Sequence, residues 1–140
     1  MTQVDFYQID SDETALYFAC RLIERIYRQG LKVYVHAESK QQAQQLDDLL
    51  WTFRADRFIP HSIHGDSKVA PIQIGYDQDP DCDKEVLVNL GATVPSFFSQ
   101  FDRVTEVVPK DEGKREATRN NYKFYQERGY PLRYHNIRSS

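Results

Sequence analysis

The sequence lacks the features that mark membrane-spanning and secreted proteins. Its 140 residues contain no run of about 18 apolar residues, so no segment is predicted to cross a membrane as a helix. The first 20 residues are acidic and have no uninterrupted apolar stretch, which argues against a secretory signal peptide. The two cysteines, Cys20 and Cys82, form no CxxC motif, so we expect reduced thiols and a cytoplasmic protein.

Glycine-rich phosphate-binding motifs are also absent. The six glycines are scattered, and neither GxGxxG nor GxxxxGK occurs. The turn predicted after the first strand, QIDSDETA, has three acidic residues and no glycine, so its backbone could not approach a phosphate closely. These features predict that the protein uses no nucleotide cofactor.

Metal-binding and catalytic motifs are incomplete. A calcium loop in the acidic run DQDPDCDKE would need glycine and glutamate where Cys82 and Val88 stand, so a solvated turn is favoured. His61 and His64 precede Asp66 without a further clear ligand, which favours an ordinary surface loop over a metal site. No serine or cysteine lies in a recognisable nucleophile motif. We therefore predict neither a bound metal nor catalytic activity.

Charge is unevenly distributed along the chain. Residues 1–109 contain 10 Lys and Arg against 17 Asp and Glu, whereas residues 110–140 contain 8 against 4. An acidic main body disfavours wrapping a nucleic-acid duplex, because that requires many clustered cations. The basic C-terminal part is better suited to a small anionic ligand.

The hydrophobic pattern predicts a single α/β domain over residues 1–140. After the first strand, apolar residues recur as in an amphipathic helix, with Asp10 as its N-cap and Gly30 just beyond its end. A second helix is predicted after Ser39, and a short helical turn at 94–101. Helices between the early strands predict a mainly parallel sheet that is covered on both faces. Strands are predicted at residues 4–9, 32–37, 71–76, 86–91 and 103–109.

The last predicted helix, KREATRNNYKFYQERGYP at 114–131, has a basic face. On a helical wheel Arg115, Arg119 and Lys123 lie within about 80° of one another, with Tyr122 beside them. Cations one turn apart repel each other by a few tenths of a kcal/mol. Such a face serves nucleic-acid binding, binding of an acidic protein, or solubility alone, and the pattern leaves all three open.

Large aromatic side chains cluster near the end of the second predicted helix. Trp51, Phe53 and Phe58 lie in the stretches LLWTF and RFIP. They either cover an edge of the core or anchor a partner, and both interpretations stay open.

Segments distributed over nearly the whole chain resemble the chi subunit family of bacterial DNA polymerase III, an accessory protein of the clamp-loader assembly. They are FYQID, GLKVYVHAESKQQAQQLDDLLWT, RFIPHS, PIQIGY, VLVNL, FDRVTEVVP and RNNYKFYQERGY, in family order. The resemblance implies a Rossmann-like three-layer α/β/α sandwich with a mainly parallel sheet and no nucleotide site. It also implies a non-catalytic role in DNA replication with two partners, the psi subunit and the acidic C-terminal tip of the single-stranded DNA-binding protein.

Carried over by position, the sites of the family fall on two surfaces. The psi site is expected around Trp51 and Phe58, where a helicase would compete in some bacteria. The tail PLRYHNIRSS resembles the family least, but its Arg133 and Tyr134 are expected to border the tip site. The residues expected to bind the tip are Val108, Pro109, Arg115, Arg119, Tyr122 and Lys123.

Two other functions compete with this interpretation. One is direct binding of single-stranded DNA by the basic helix, with Tyr122, Tyr130 and Tyr134 as stacking platforms, although the acidic body counts against it. The other is an enzyme built on a Rossmann-like scaffold, although the sequence contains no recognisable catalytic motif.

Overall fold

The protein is built on a parallel β-sheet flanked by helices. The computed structural model describes residues 2–9, 14–53, 60–63, 70–76, 80 and 84–137. The strands in these ranges are β1 (Gln3–Ile9), β2 (Val33–His36), β3 (His61–Ile63), β4 (Ile72–Gly75), β5 (Val86–Asn89), β6 (Arg103–Val108) and β7 (Leu132–Ile137), and the helices are α1 (Ala15–Arg28), α2 (Lys40–Thr52) and α3 (Glu112–Glu127). The described strands form one sheet in the order β3-β4-β2-β5-β6-β1-β7, with every pair parallel. None of the helices in these ranges is long and apolar enough to span a bilayer.

The two faces of the sheet carry separate apolar clusters, because side chains alternate along each strand. Helices α1 and α2 pack on one face, over a cluster that includes Val35 and Val88. Helix α3 and a short 3₁₀ turn at Phe98–Gln100 pack on the other face, over Phe6 and Leu87. This arrangement confirms the predicted Rossmann-like three-layer α/β/α sandwich, with a sheet that is parallel throughout its described strands.

Helices α1 and α2 begin at capping side chains. Ser39 caps α2 as predicted, and its Oγ accepts a hydrogen bond from Gln42 N at 3.1 Å. The prediction that Asp10 caps α1 is wrong, because the helix begins later and Thr14 is its N-cap. Gly30 lies just beyond α1 with a φ of +82°, a left-handed conformation that glycine adopts without a steric penalty.

The bounds of α3 differ from the predicted range of 114–131. Asp111 Oδ1 accepts a hydrogen bond from Lys114 N at 3.0 Å, and this cap starts the helix at Glu112. The helix ends at Glu127 because Gly129, with a φ of +78°, turns the chain away. The chain then enters β7, so the tail adds a strand to the sheet.

The sequence pattern does not predict β3 and β7, which are the two edges of the sheet. Strand β3 has only three residues, and three of the six residues of β7 (LRYHNI) are polar, without a regular alternation along the strand. An edge strand pairs on one side only and buries less apolar surface than a central strand. Its hydrophobic pattern is correspondingly weak.

Cys20 is a core residue of α1. Its side chain is fully buried and forms no disulfide, and burial raises the pKa of its thiol to about 12. Cys82 lies outside the described residues.

A buried carboxyl group joins α3 to the sheet. Glu106 of β6 is 2% exposed, and its Oε2 accepts hydrogen bonds from Tyr125 Oη at 2.7 Å and from Asn89 Nδ2 at 2.9 Å. Asn121, one turn before Tyr125 in α3, is also buried and donates to Ala92 O at 3.1 Å. Directional polar contacts therefore fix α3 on the sheet in addition to apolar packing.

Burial makes the folded protein favour the neutral form of this carboxyl group. It raises the pKa of Glu106 to about 7, against the opposite effect of the hydrogen bonds from Asn89, Tyr125 and Asn121. A glutamate in the unfolded chain has a pKa of about 4.3. Between these values the folded protein binds more protons than the unfolded chain, so the free energy of unfolding falls as the pH rises. The contribution of Glu106 is thus complete below about pH 4.3 and lost once the pH passes about 7.

We predict that Glu106→Gln removes this pH dependence, because a neutral amide of nearly the same shape cannot ionise. Thermal unfolding at pH 5 and pH 8 measures the effect. From pH 5 to pH 8 the melting temperature of the wild type should fall by at least about 2–4 °C more than that of the variant, since 1 kcal/mol shifts the melting temperature of such a domain by about that much. Glu116→Gln, at an exposed site on α3, serves as the control and should follow the wild-type profile. Parallel profiles for wild type and Glu106→Gln would contradict the prediction.

Candidate functional site

A cavity of about 330 Å³ lies between α3 and the carboxyl-terminal ends of β1 and β6, beside the edge strand β7. Four elements, β1, β6, α3 and β7, supply its walls. The residues that line it are Gln8, Val108, Arg115, Thr118, Arg119, Tyr122 and Tyr134.

The register of the parallel strands builds the floor of the cavity. Val108 of β6 lies beside Gln8 of β1, and two residues earlier Phe6 lies between Glu106 and Tyr134. These two rows of side chains point to the same face of the sheet, because side chains alternate with a period of two. That face is the one that α3 covers, so the helix closes the cavity over them.

Stacked aromatic rings form one wall. The Phe6 ring is fully buried, with the Tyr122 centroid 5.2 Å away and the Tyr134 centroid 6.0 Å away. The rings of Tyr122 and Tyr134 lie 6.2 Å apart at an angle of 67°. Tyr134 Oη donates a hydrogen bond to Gln8 Oε1, and 47% of Tyr134 remains exposed. The wall therefore offers an apolar, partly solvent-exposed surface on which a further ring can pack.

Arg115 is bound to the backbone at the ends of two strands. Its Nε donates to Pro109 O at 3.1 Å, and its Nη2 donates to Ile9 O at 3.2 Å. These carbonyl groups lie where β6 and β1 end, so the sheet has no further strand partner for them there. The guanidinium group thus contributes a fixed positive charge to the cavity and ties the first turn of α3 to the sheet.

Arg119 is held more loosely, by a carboxylate of its own helix. Its Nη2 lies 3.0 Å from Glu112 Oε1, and the two side chains are 66% and 74% exposed. An exposed ion pair of this kind contributes about 0–1 kcal/mol. Arg119 therefore places a guanidinium group at the cavity. Its present partner, the Glu112 carboxylate, is weakly bound, so another carboxylate can replace it.

The cavity brings together four of the six residues predicted to bind the tip: Val108, Arg115, Arg119 and Tyr122. Pro109 lines a neighbouring cleft of about 40 Å³ instead. Lys123 lies on neither surface, is 74% exposed, and has its Nζ 4.0 Å from Glu127 Oε1.

Sequence reasoning missed Gln8 and Thr118, although both leave a signal. Gln8 falls on the same face of β1 as Phe6, and Thr118 is one turn from both Arg115 and Tyr122 on the helix. Tyr134 lines the cavity as expected. Arg133 does not, because successive residues of a strand point to opposite faces.

A second candidate surface lies at the other edge of the sheet. Trp51, at the end of α2, is 54% exposed, and its ring centroid lies 4.9 Å from that of His61 in β3. His61 Nε2 lies 3.3 Å from Asp47 Oδ1 of α2, and the imidazole is tilted by 58° relative to the indole. Phe53 packs against the core, and Phe58 lies outside the described residues. Trp51 is therefore a large apolar side chain left at the surface beside a sheet edge.

The sequence offered His61, His64 and Asp66 as possible metal ligands, and the structure describes one of them, His61. His61 contacts Asp47 and Trp51, whereas His64 and Asp66 lie outside the described residues. Within the described ranges no three His, Cys, Asp or Glu residues come together as metal ligands would.

Comparison with known proteins identifies relatives over almost the whole chain. The family model described as "DNA polymerase III chi subunit, HolC" matches residues 1–133. The chain is 41% identical to the DNA polymerase III subunit chi of Pseudomonas aeruginosa over 98% of both chains. It is 31% identical to that of Haemophilus influenzae over 85% of both, and 28% identical to that of Escherichia coli over 94% of this chain and 96% of the relative. The matched residues extend from β1 into β7.

We predict that Arg115→Ala destabilises the fold by about 1–3 kcal/mol, because it leaves the carbonyl groups of Pro109 and Ile9 without their charged donor. Urea denaturation measures the change. Lys114→Ala is the matched control, since it removes a neighbouring exposed cation of the same helix and should cost less than about 0.5 kcal/mol. Equal stabilities for the two variants would show that the Arg115 contacts contribute nothing.

Proposed function

Since the chain belongs to the DNA polymerase III chi subunit family, we propose that it is an accessory subunit of the DNA polymerase III holoenzyme, without catalytic activity of its own. In this role it connects the psi subunit, and through it the clamp loader, to the acidic C-terminal tip of the single-stranded DNA-binding protein. The convergence of Arg119, Tyr122 and Tyr134 on one cavity is the observation that carries the tip-binding part of the proposal.

The chemistry of the tip matches the chemistry of the cavity. The tip offers aspartates, a terminal phenylalanine and a free carboxylate. Its phenyl ring would pack against Tyr122 and Tyr134, above Phe6 and Val108. A volume of about 330 Å³ falls at the lower end of the range for small-ligand sites, about 300–1,000 Å³. The cavity is therefore suited to one ring and its carboxylate rather than to a large ligand.

Arg119 is the group proposed to bind the terminal carboxylate. A guanidinium group matches a carboxylate in a bidentate arrangement, which is stronger than a single hydrogen bond. The Glu112 carboxylate already lies on Arg119 and stands in for the ligand in the free protein. Binding would exchange one carboxylate for another, so the guanidinium group would not be left without a charged partner at any stage.

The neighbouring cations would act through their field. Arg115 is fixed by backbone carbonyl groups, so its charge would raise the potential at the cavity without changing position. Lys123 is proposed to attract the aspartates of the tip loosely, as a solvent-screened charge. Binding should consequently weaken with added salt.

The psi-binding part of the proposal rests on Trp51. Large aromatic residues dominate protein–protein interfaces, and this one lies exposed at the β3 edge. The β3 and β7 edges are six strand spacings apart, or about 29 Å at about 4.8 Å per strand. Psi, or a helicase that competes for the same surface, would therefore bind without blocking the tip cavity.

We predict that Arg119→Ala weakens tip binding by about 30- to 150-fold, the equivalent of about 2–3 kcal/mol. Calorimetry with a synthetic tip peptide measures the change, and circular dichroism confirms folding. A peptide with an amidated C-terminus provides a double-mutant cycle: once its carboxylate is gone, Arg119→Ala should cause little further loss.

Glu112→Gln tests the role of Arg119 by removing the carboxylate that competes with the tip for this guanidinium group. Removing the competing carboxylate should tighten tip binding by about two- to fivefold, as expected for an exposed pair of up to about 1 kcal/mol. Glu116→Gln makes the same charge change elsewhere on α3 and is the matched control. Binding by Arg119→Ala within threefold of the wild type would mean that the carboxylate binds elsewhere.

We predict that Trp51→Ala loses psi while the protein stays folded, because an exposed anchor contributes to the interface rather than to the core. Truncating such an anchor typically costs about 2 kcal/mol or more. Co-purification with psi measures the loss, and tip-peptide affinity is the internal control that should not change. A large drop in melting temperature with psi binding intact would place Trp51 among the structural residues.

A further inference from the structure

The face of the sheet opposite the tip cavity carries a group of arginine residues. Helix α1 packs over β2 and β6 on that face, and β7 lies two strands beyond β6. The side chains of β1 and β7 that point there include Tyr7, Arg133 and His135, since Arg133 pairs in register with Asp5 and His135 with Tyr7.

Tyr7 lies close to all the arginine residues of this group. The rings of Tyr7 and His135 are stacked, with centroids 4.6 Å apart. Burial raises the pKa of the Tyr7 hydroxyl and the Asp5 carboxylate raises it further, while the charges of Arg25, Arg103 and Arg133 lower it. Three guanidinium groups, from α1, β6 and β7, therefore lie within electrostatic range of the same hydroxyl. We call Arg25, Arg103 and Arg133, together with Tyr7 and His135, the arginine patch.

The arginines of this patch are exposed, and no carboxylate of the described residues pairs with them. Among the described residues, Arg25, Arg103 and Arg133 form no ion pair. Among the described residues, Asp5 is the carboxylate that acts on Tyr7; it is 7% exposed, and its Oδ1 lies 3.4 Å from His135 Nε2. The patch therefore presents three cations to solvent around one largely buried carboxylate.

The basic face of α3 differs in this respect. Arg115 donates to backbone carbonyl groups, Arg119 pairs with Glu112, and Lys123 lies 4.0 Å from Glu127. Carboxylates of the same helix therefore lie beside Arg119 and Lys123, and the side chain of Arg115 is already bound to the backbone. The arginine patch retains its charge even though the first 109 residues are acidic as a whole.

We propose that the arginine patch binds the phosphate backbone of single-stranded nucleic acid, with the partly exposed His135 ring stacking against a base. Proteins that bind single strands commonly combine a cationic surface that follows the backbone with rings that stack on bases. The side chain of His135 is 40% exposed and lies between the charges of β7 and the ring of Tyr7. Both components are thus present on one surface.

Size and chemistry favour a single strand over the alternatives. The patch spans two strand spacings of the sheet from β6 to β7, or about 10 Å, which accommodates a few phosphates but not the many contacts of a duplex site. An acidic peptide would satisfy the arginines but would leave the His135 ring without a planar partner. Duplex DNA and acidic peptides are therefore competitors in the test.

The test is fluorescence anisotropy of a labelled oligothymidylate of about 20 nucleotides with the full chain at about 50 mM salt. We expect saturable binding by the wild type, and at least fivefold weaker binding by Arg133→Glu and by Arg103→Glu. Lys40→Glu makes the same charge change at an exposed site on α2 and should stay within twofold of the wild type. Each lost phosphate contact should also reduce the slope of log affinity against log salt by about 0.7.

Several outcomes would overturn the proposal. The first is that the wild type does not bind the oligonucleotide up to about 10⁻⁴ M, and the second is that Lys40→Glu loses as much affinity as the patch variants. The third is that oligoglutamate or duplex DNA competes more strongly than oligothymidylate. The fourth is that Lys123→Glu loses affinity whereas Arg133→Glu does not. The last result would place the strand on α3. Tip-peptide affinity is measured for every variant, so failure here is distinguishable from failure of the proposed tip binding.

Photo-crosslinking provides a second readout that does not depend on folding of the variants. Wild-type protein is irradiated with an oligonucleotide that contains bromodeoxyuridine, and the adducts are mapped by mass spectrometry. Adducts on peptides that contain Tyr7 or His135 support the proposal. Adducts confined to α3 overturn it.

Discussion

The position of α3 depends on one buried carboxyl group. Glu106 accepts hydrogen bonds from Asn89 of the sheet and from Tyr125 of the helix, and it is almost inaccessible to solvent. An unsatisfied polar group in that position would be costly, so the helix has one favourable rotation about its axis. Arg115 adds a second attachment at the first turn, through Ile9 O and Pro109 O. With both ends fixed, the backbone of α3 has little freedom to move relative to the sheet.

Exposed aromatic residues mark the surfaces where partners are proposed to bind. Among the described residues the large hydrophobic side chains with substantial exposure are Tyr17, Trp51 and Tyr134. Trp51 belongs to the β3 edge and Tyr134 to the β7 edge, so the sheet separates them by its full width. A parallel sheet packed on both faces is stiff, which suits the proposed role of connecting two partners without passing a conformational change between them.

The central part of the fold was predictable from the sequence, and its edges were not. The five inner strands are short runs rich in apolar and aromatic residues, because most of their side chains are buried between two layers, and every one was predicted. The cavity could be predicted in part, since helical spacing aligns Arg115, Arg119 and Tyr122. The contribution of Tyr134 and Gln8 depends on β7 pairing with β1, which no local pattern reveals. The Glu112 contact with Arg119 likewise depends on side-chain geometry, because a spacing of seven residues allows it without requiring it.

Strand β1 pairs only with late strands within the described sheet: Val4 lies beside Val104 of β6 and Leu132 of β7. Such long-range pairings are slow to form, since a large loop must close first. At about 5–20 residues per second, the ribosome needs about 5–20 s to make the hundred residues between β1 and β6. During that time β1 has no neighbour, and its apolar side chains are available to chaperones and proteases. A chain whose synthesis stops before β7 would also lack the Tyr134 wall of the cavity, so the proposed tip site is complete only when the last strand has been made and has paired with β1.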